Sequence, residues 1–226
     1  MSTHPTSVAL HHATVGLLET RAERDVTVEK VLAASGASKG SLYHHFRDFD
    51  SLLDRAQATR FAQTVDRTLA LLGSVSARDA VVVDLLVALA AGTLCDEDDA
   101  VRQELLAIAV RRPSLQVLLG PEQQRLADAL AALLRDAQSR RWVRTDVDAH
   151  DTALLLLSCA AGRVVARVAD VPSWEQLIAA VLHPVLEPPA AAAIPDRPHD
   201  DRLDASTTRE PHAMTTTGMD PGTRGG

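Results

Sequence analysis

The sequence predicts an all-α protein, on three observations. Residues are 46% hydrophobic but only 3% aromatic, and Ala, Leu and Val dominate, which favours helices around an aliphatic core. Alternation of apolar and polar residues, the pattern of a half-buried strand, is scarce. Good N-cap residues, Thr27, Ser38 and Asp48, stand directly before segments that are expected to be helical. We therefore expect three N-terminal helices, a fourth that connects them onward, and a C-terminal helical bundle.

The first four helices are expected at 7–22, 28–34, 39–45 and 49–72. Gly36 suits the end of the second helix, because a residue with positive φ commonly follows a helix. Asp48 can cap the fourth helix, and the dipole favours the negative charge of Asp50 in its first turn.

The rest of the chain predicts further apolar helices with short breaks and then a tail. Pro113, Gly120 and Pro121 interrupt the middle, and the acidic run 96–99 is typical of a helix start. The composition becomes rich in Pro, Thr, Asp and Gly from Pro188, which predicts disorder. The expected helices are 77–93, 99–111, 121–140, 148–169 and 173–187, and the expected domains are 1–50, 51–187 and the tail 188–226.

Charge and composition exclude several classes of protein. The net charge of −7 argues against a general nucleic-acid coat, although residues 1–60, with seven Lys/Arg and seven Asp/Glu, are the least acidic part. Binding to DNA would therefore depend on a few placed groups. No apolar run predicts a membrane span or a signal peptide, and two distant cysteines, Cys95 and Cys159, favour a reduced, cytoplasmic protein.

Residues 27–46, TVEKVLAASGASKGSLYHHF, have the pattern of a helix-turn-helix, two short helices joined by a turn that contains glycine. The second helix is expected to present Lys39, Tyr43 and His44 outward, with small residues at its start that allow close approach to base edges. Lys39 can donate to guanine or phosphate, and Tyr43 and His44 to phosphate. The expected core of this motif consists of Val28, Val31, Leu32, Ala37, Leu42 and Phe46.

The run at 35–46, SGASKGSLYHHF, closely resembles the DNA-binding domain of the TetR family of transcriptional regulators. The resemblance is strong over about residues 8–60, and a weaker likeness lies at 141–148, before a helix that carries Gly162. It implies a regulator that contacts double-stranded DNA through its recognition helix, 39–45. The DNA-contacting residues that it implies are Thr27, Ser38, Lys39, Gly40, Ser41, Tyr43, His44 and Arg47.

Three positions depart from the family pattern. Ala37 replaces the usual Val and Leu32 the usual Ala, and Phe49 stands where a phosphate-binding Lys is usual. The loss of that Lys removes one backbone contact, which Arg47 can replace. We therefore expect either a lower DNA affinity than is usual or a different docking geometry.

Other chemistries are weakly supported. Adjacent histidines, His11–His12 and His44–His45, point about 100° apart on a helix, so a metal site is not expected. Nothing beside the two cysteines lowers a thiol pKa, which disfavours a redox switch. No nucleophile elbow, phosphate loop or catalytic His/acid pair predicts an enzyme. We expect no catalytic residues and no cofactor.

The resulting hypothesis is a repressor that binds an inverted-repeat operator as a homodimer and is released by a small lipophilic effector. The effector's identity and its binding residues are unknown from sequence. Two alternatives stay open: a helical protein-interaction module that does not bind DNA, and a DNA-binding regulator without a ligand. Dimerisation is expected through the last two helices, because their apolar faces are too wide for one subunit to cover.

We predict that deletion of residues 190–226 leaves thermal stability and DNA affinity nearly unchanged. The segment contains too little apolar surface to offset the entropy of ordering it. Thermal unfolding and operator titration of the truncated protein would measure both quantities. A loss of dimerisation on deletion would contradict this interpretation.

Overall fold

The computed structural model describes residues 4–75, 82–93, 96–169 and 173–187. Within these ranges every regular element is helical, with a 3₁₀ turn at Glu23–Asp25 after the first helix. The helices are α1 Pro5–Thr20, α2 Val28–Ser35, α3 Lys39–His45, α4 Phe49–Val75, α5 Val82–Ala91, α6 Asp96–Ala109, α7 Pro113–Ser139, α8 Ala149–Val168 and α9 Trp174–Leu186. The all-α prediction is confirmed. The predicted tail lies outside the described residues.

Two hydrophobic cores follow each other along the chain. The smaller core is built by α1, α2, α3 and the first turns of α4, with Leu10, Val31 and Leu42 fully buried. The larger core is built by the remainder of α4 and by α5–α9, and its buried side chains are mostly Leu, Ala and Val. Because α4 contributes Leu52 to the first core and Phe61 to the second, one helix belongs to both.

The predicted break at Gly120–Pro121 is wrong. A single helix, α7, runs through both residues, and Pro113 occupies its first turn, where a missing N–H costs little. Leu115, Leu119 and Leu126 are all buried on one face of α7. Continued burial of that face outweighs the hydrogen bond that Pro121 cannot donate.

The predicted helix 99–111 starts earlier, at Asp96, which agrees with the acidic run being a helix start. Gln138 stabilises the turn between α7 and α8, since its side-chain amide donates to the carbonyl oxygens of Arg144 at 3.0 Å and Val147 at 2.9 Å. None of the described helices has the length and apolar character needed to cross a membrane.

A polar network joins the 3₁₀ turn, α4 and the α6–α7 corner. Arg112 donates to the Glu23 carboxylate and, at 3.1 Å, to Asp54 Oδ1, while Ser114 Oγ donates to Asp54 Oδ2 at 2.6 Å. Asp54 is buried, and Gln57 donates to Glu23 at 2.9 Å. The corner of the C-terminal bundle is thereby bonded to the segment between the first two helices.

The charge state of Glu23 reflects this network. Partial burial by itself raises the pKa of Glu23, but the hydrogen bonds from Arg112 and Gln57 outweigh it and hold the pKa below its ordinary value of 4.5. A carboxylate with a lowered pKa contributes stability above its unfolded pKa and loses it as the pH falls through the folded value.

We predict that Arg112→Met lowers the free energy of unfolding by about 2 kcal/mol, because it leaves the Asp54 carboxylate buried without its cationic partner. Urea denaturation would measure the change. The difference between the free energies of unfolding of the variant and the wild type should become smaller below about pH 4.5, because Glu23 becomes protonated.

Arg111→Met is the matched control. Arg111 is the exposed neighbour of Arg112 and forms no ion pair with the described residues, so its removal should change stability by less than about 0.5 kcal/mol. Equal destabilisation by the two substitutions would show that the network contributes nothing specific.

Candidate nucleic-acid interface

The second helix of the predicted motif, α3, has a local start signal. Ser38 has an extended backbone and its Oγ accepts the Ser41 N–H at 3.1 Å, so it is the N-cap. The two serine hydroxyls also lie 2.9 Å apart. Leu42 is fully buried and Phe46, the C-cap, is buried behind it. Burial at these two positions fixes which face of α3 turns to solvent.

The preceding helix and turn form as the sequence predicts. Thr27 Oγ1 accepts the Lys30 N–H at 3.4 Å, and α2 ends at Gly36, whose φ of 67° lies in the left-handed region. Ser35 Oγ accepts the Ala37 N–H at 3.3 Å within the turn. Of the predicted core residues, Val31, Leu42 and Phe46 are buried, and Val28, Leu32 and Ala37 are partly buried against them.

The helix that follows α3, α4, begins with a cap formed by Asp48 and Ser51. Asp48 Oδ1 accepts the Ser51 N–H at 2.7 Å, and Ser51 Oγ accepts the Asp48 N–H at 3.3 Å. This reciprocal cap lowers the pKa of Asp48, chiefly through the Ser51 backbone N–H and then through Arg47. The carboxylate therefore stays ionised as the cap of α4.

The predicted contact residues share one surface. Lys39, Gly40, Tyr43 and His44 are exposed on α3, and Tyr43 has 47% of its surface accessible despite its aromatic ring. Ser38 is exposed and Ser41 half-buried at the start of the helix. The Tyr43 hydroxyl can donate an O–H group to an anionic partner, and the Lys39 ammonium and the His44 ring can donate N–H groups.

Two of the predicted contact residues lie apart from α3. Thr27 is at the start of α2, where its hydroxyl already accepts a backbone N–H. Arg47 follows α3 with its side chain 84% exposed, and its Nε donates to Asp48 Oδ2 at 2.8 Å. A phosphate could still reach the remaining donors of Arg47, although the Asp48 carboxylate opposes part of its charge.

Sequence reasoning did not foresee that His4 joins the paired histidines. The ring of His45 lies 4.8 Å from that of His4 and 5.0 Å from that of His44, measured between centroids. Desolvation, together with these two neighbours, lowers the pKa of His45. Among the described residues, no group of three or more His, Cys, Asp or Glu side chains is arranged to hold a metal ion.

The interior of the C-terminal bundle is less uniformly aliphatic than the sequence predicts. Asp99 and Arg102, on α6, form an ion pair in which each side chain is only 4% exposed. Arg102 also donates to Thr68 Oγ1 of α4 at 3.3 Å. Charged residues three apart near a helix start are ordinarily assigned to a solvated face, so the sequence contained no signal for their burial.

The cysteine prediction is tested at one position. Cys159 is half-buried on α8, and burial raises the pKa of its thiol, which disfavours the reactive thiolate. Cys95 lies outside the described residues.

Comparison with known proteins agrees with this geometry. Residues 10–56 match the family model described as bacterial regulatory proteins, tetR family. None of the curated proteins matches the chain in sequence.

Among solved structures, Salmonella enterica GusR is 22% identical and covers 82% of this chain and 97% of its own, with a TM-score of 0.58. A TetR transcription regulator from Haloarcula marismortui is 17% identical over 80% of this chain and 98% of its own, with a TM-score of 0.59. A regulator from Saccharomonospora viridis in complex with choline is 20% identical over 80% and 97%, with a TM-score of 0.58. At these identities the likeness concerns the fold.

The matched segment, 10–56, contains most of α1, all of α2 and α3, and the start of α4. It therefore includes the whole helix-turn-helix and its buried core. The protein thus carries the N-terminal domain of the TetR family of bacterial regulatory proteins on a chain that has the fold of that family's transcriptional regulators.

Proposed function

We propose that the protein is a transcriptional repressor that binds an inverted-repeat operator as a homodimer and releases it when a small effector binds. The single observation that carries the DNA-binding part is the outward face of α3. Lys39, Tyr43 and His44 are exposed together on a short helix whose other face is fixed by buried Leu42. Such a helix can enter a major groove without rearrangement of its own core.

The two kinds of contact have different roles on this surface. Lys39, in the first turn of α3, is placed to reach a base edge or a phosphate. Gly40 has no side chain, so DNA can approach the backbone closely at this position. Tyr43 and His44 lie one turn later, where donors to phosphate set the register of the helix. Few cationic groups lie on this surface, so few counterions would be released on binding, and the affinity should fall only moderately as the salt concentration rises.

The homodimer is supported by the apolar face of α9, of which one part is buried in the chain's own core and the other part is exposed. Ile178 and Leu182 are buried in the chain's own core, whereas Leu177 and Val181 are 50% and 54% exposed. On α8, Leu154 and Leu155 are also close to half exposed. Packing of α8 and α9 against the same helices of a second subunit would bury these side chains in a four-helix arrangement.

The effector is proposed to bind within the C-terminal bundle, which the aliphatic core makes suitable for a small lipophilic molecule. Arg102 and Thr68 would offer polar partners to such a molecule. The S. viridis protein of the same fold was solved with choline, a small organic molecule.

A selection of bound genomic DNA fragments tests the proposal directly. Recovery of a common inverted repeat, bound more weakly as the salt concentration rises, is the expected result. The competing hypothesis, a helical protein-interaction module, predicts no enriched sequence at any salt concentration.

We predict that Lys39→Ala weakens operator binding by about 1–3 kcal/mol if the lysine reads a base. If it holds a phosphate, all DNA sequences should weaken equally and the slope of log affinity against log salt should fall by about one. Fluorescence anisotropy with operator and unrelated duplexes would separate the two outcomes.

Lys30→Ala is the matched control, since it removes the only other lysine of the chain. Its ammonium group, on α2, donates to the Asp25 carbonyl oxygen at 2.6 Å. It should change operator affinity much less than Lys39→Ala. Wild-type affinity in both Lys39→Ala and Tyr43→Phe would refute the docking of α3.

We predict that Leu177→Asp combined with Val181→Asp produces monomers with a reduced operator affinity. Each monomer would engage only one half-site, and two carboxylates would oppose burial of the α9 face. Sedimentation at micromolar concentration would measure the oligomeric state.

The control is Val110→Asp combined with Val117→Asp, which places the same charges on exposed apolar positions directly after α6 and on α7. This variant should remain dimeric. A wild-type protein that sediments as a monomer and binds a single half-site with full affinity would exclude the homodimer.

A further inference from the structure

A groove of about 410 Å³ lies where the N-terminal domain meets the C-terminal bundle. Its walls come from α1, the C-cap of α3, the first half of α4 and the start of α7. The groove is separate from the interior of the C-terminal bundle, because none of the residues that line it belongs to α5, α6, α8 or α9.

One part of the groove is apolar. Val8, Phe46, Ala58 and Leu118 line it, and Val8 and Leu118 are each 37% exposed. Two partly exposed aliphatic side chains that face the same groove from different helices leave apolar surface in contact with water. A ligand with a hydrocarbon portion would cover this surface.

The other part of the groove carries basic groups. The Arg55 guanidinium lies 5.7 Å from the centroid of the Phe46 ring, and it forms no hydrogen bond or ion pair with the described residues. All five of its N–H donors therefore remain available. His12 is exposed on the same groove, and no Asp or Glu is among the residues that line it.

Hydrogen bonds hold the wall of the groove that α1 forms against α4. His11 Nε2 lies 3.0 Å from Thr59 Oγ1 and 3.3 Å from the Arg55 carbonyl oxygen. The carbonyl oxygen can only accept, so Nε2 carries the proton in that contact. This contact ties α1 to α4 directly beside Arg55, so the position of the groove is fixed by the fold.

We propose that this groove binds a small amphiphilic carboxylate, such as a medium-chain fatty acid. The guanidinium of Arg55 pairs with the carboxylate in a bidentate geometry, and Val8, Phe46 and Leu118 cover the hydrocarbon chain. Charge complementarity favours an anion over a cation, because the lining carries basic groups and no acid. The volume lies within the range of small-molecule sites.

The occupant would contact both domains at once. Phe46 ends the recognition helix, and Leu118 belongs to α7 of the C-terminal bundle. A bound carboxylate would therefore stabilise one arrangement of α3 relative to α7. This site is thus in a different place from the effector site proposed for the interior of the bundle.

The test uses the full chain and three probes with the same ten-carbon chain: decanoate, decan-1-ol and decyltrimethylammonium. Isothermal titration calorimetry would measure binding to the wild type, Arg55→Met, Leu118→Glu and Arg24→Met. Arg55 and Arg24 are both exposed arginines of the N-terminal region, but Arg24 lies outside the groove. Circular dichroism would verify that each variant is folded.

We expect decanoate to bind the wild type more tightly than the alcohol or the ammonium ion. Arg55→Met should weaken decanoate binding about tenfold or more, because a charge-assisted hydrogen-bonded pair is lost. Leu118→Glu should weaken it through like-charge repulsion, and Arg24→Met should leave it unchanged.

Equal binding of decanoate and decan-1-ol, or no binding of decanoate, would overturn the proposal. Unchanged decanoate binding in both Arg55→Met and Leu118→Glu would also overturn it, since the acid would then occupy another site. Operator binding by the same variants is measured separately, so failure of this site does not bear on the proposed DNA-binding function.

Discussion

The structure depends on one helix, α4, that is buried in two hydrophobic cores. Leu52 and Leu53 pack with the helix-turn-helix, and Phe61 and Val65 pack with the C-terminal bundle. A continuous helix cannot rotate at one end without carrying its other end, because its hydrogen bonds link every turn. Any rearrangement of the C-terminal bundle that moves α4 therefore moves α3 as well.

Arg112 adds a second connection beside this shared helix. It joins the α6–α7 corner to Asp54 on α4 and to Glu23 in the turn before α2. The Arg112 side chain is 33% exposed and the Asp54 side chain 5%, so their bond is partly shielded from water and opposes displacement of the corner from α4 more than an exposed pair would. The groove beside Arg55 lies at the same junction, so the shared helix α4, the bonds of Arg112 and the groove all lie where the two hydrophobic cores meet.

The C-terminal bundle combines two surfaces with different consequences. Its interior is aliphatic except for the Asp99–Arg102 pair and neighbouring threonines, and burial of such a pair is costly unless its hydrogen bonds are satisfied. Its α8–α9 face leaves leucines and a valine about half exposed. The sequence indicated that the apolar face of α9 is wide, but it did not indicate which part of that face the chain itself covers.

The sequence by itself determined the elements whose signals are local. Gly36 marks the end of α2, and Ser38 and Asp48 mark the starts of α3 and α4, because caps and positive φ depend on neighbouring residues only. The helix 39–45 was located to the residue. Tertiary structure decided whatever depends on distant partners. Burial of Leu115, Leu119 and Leu126 carried α7 through Pro121, and burial of Arg102 required α4 beside α6. The bonds of Arg112 and the groove at Arg55 likewise join segments far apart in the chain, where no local pattern records the contact.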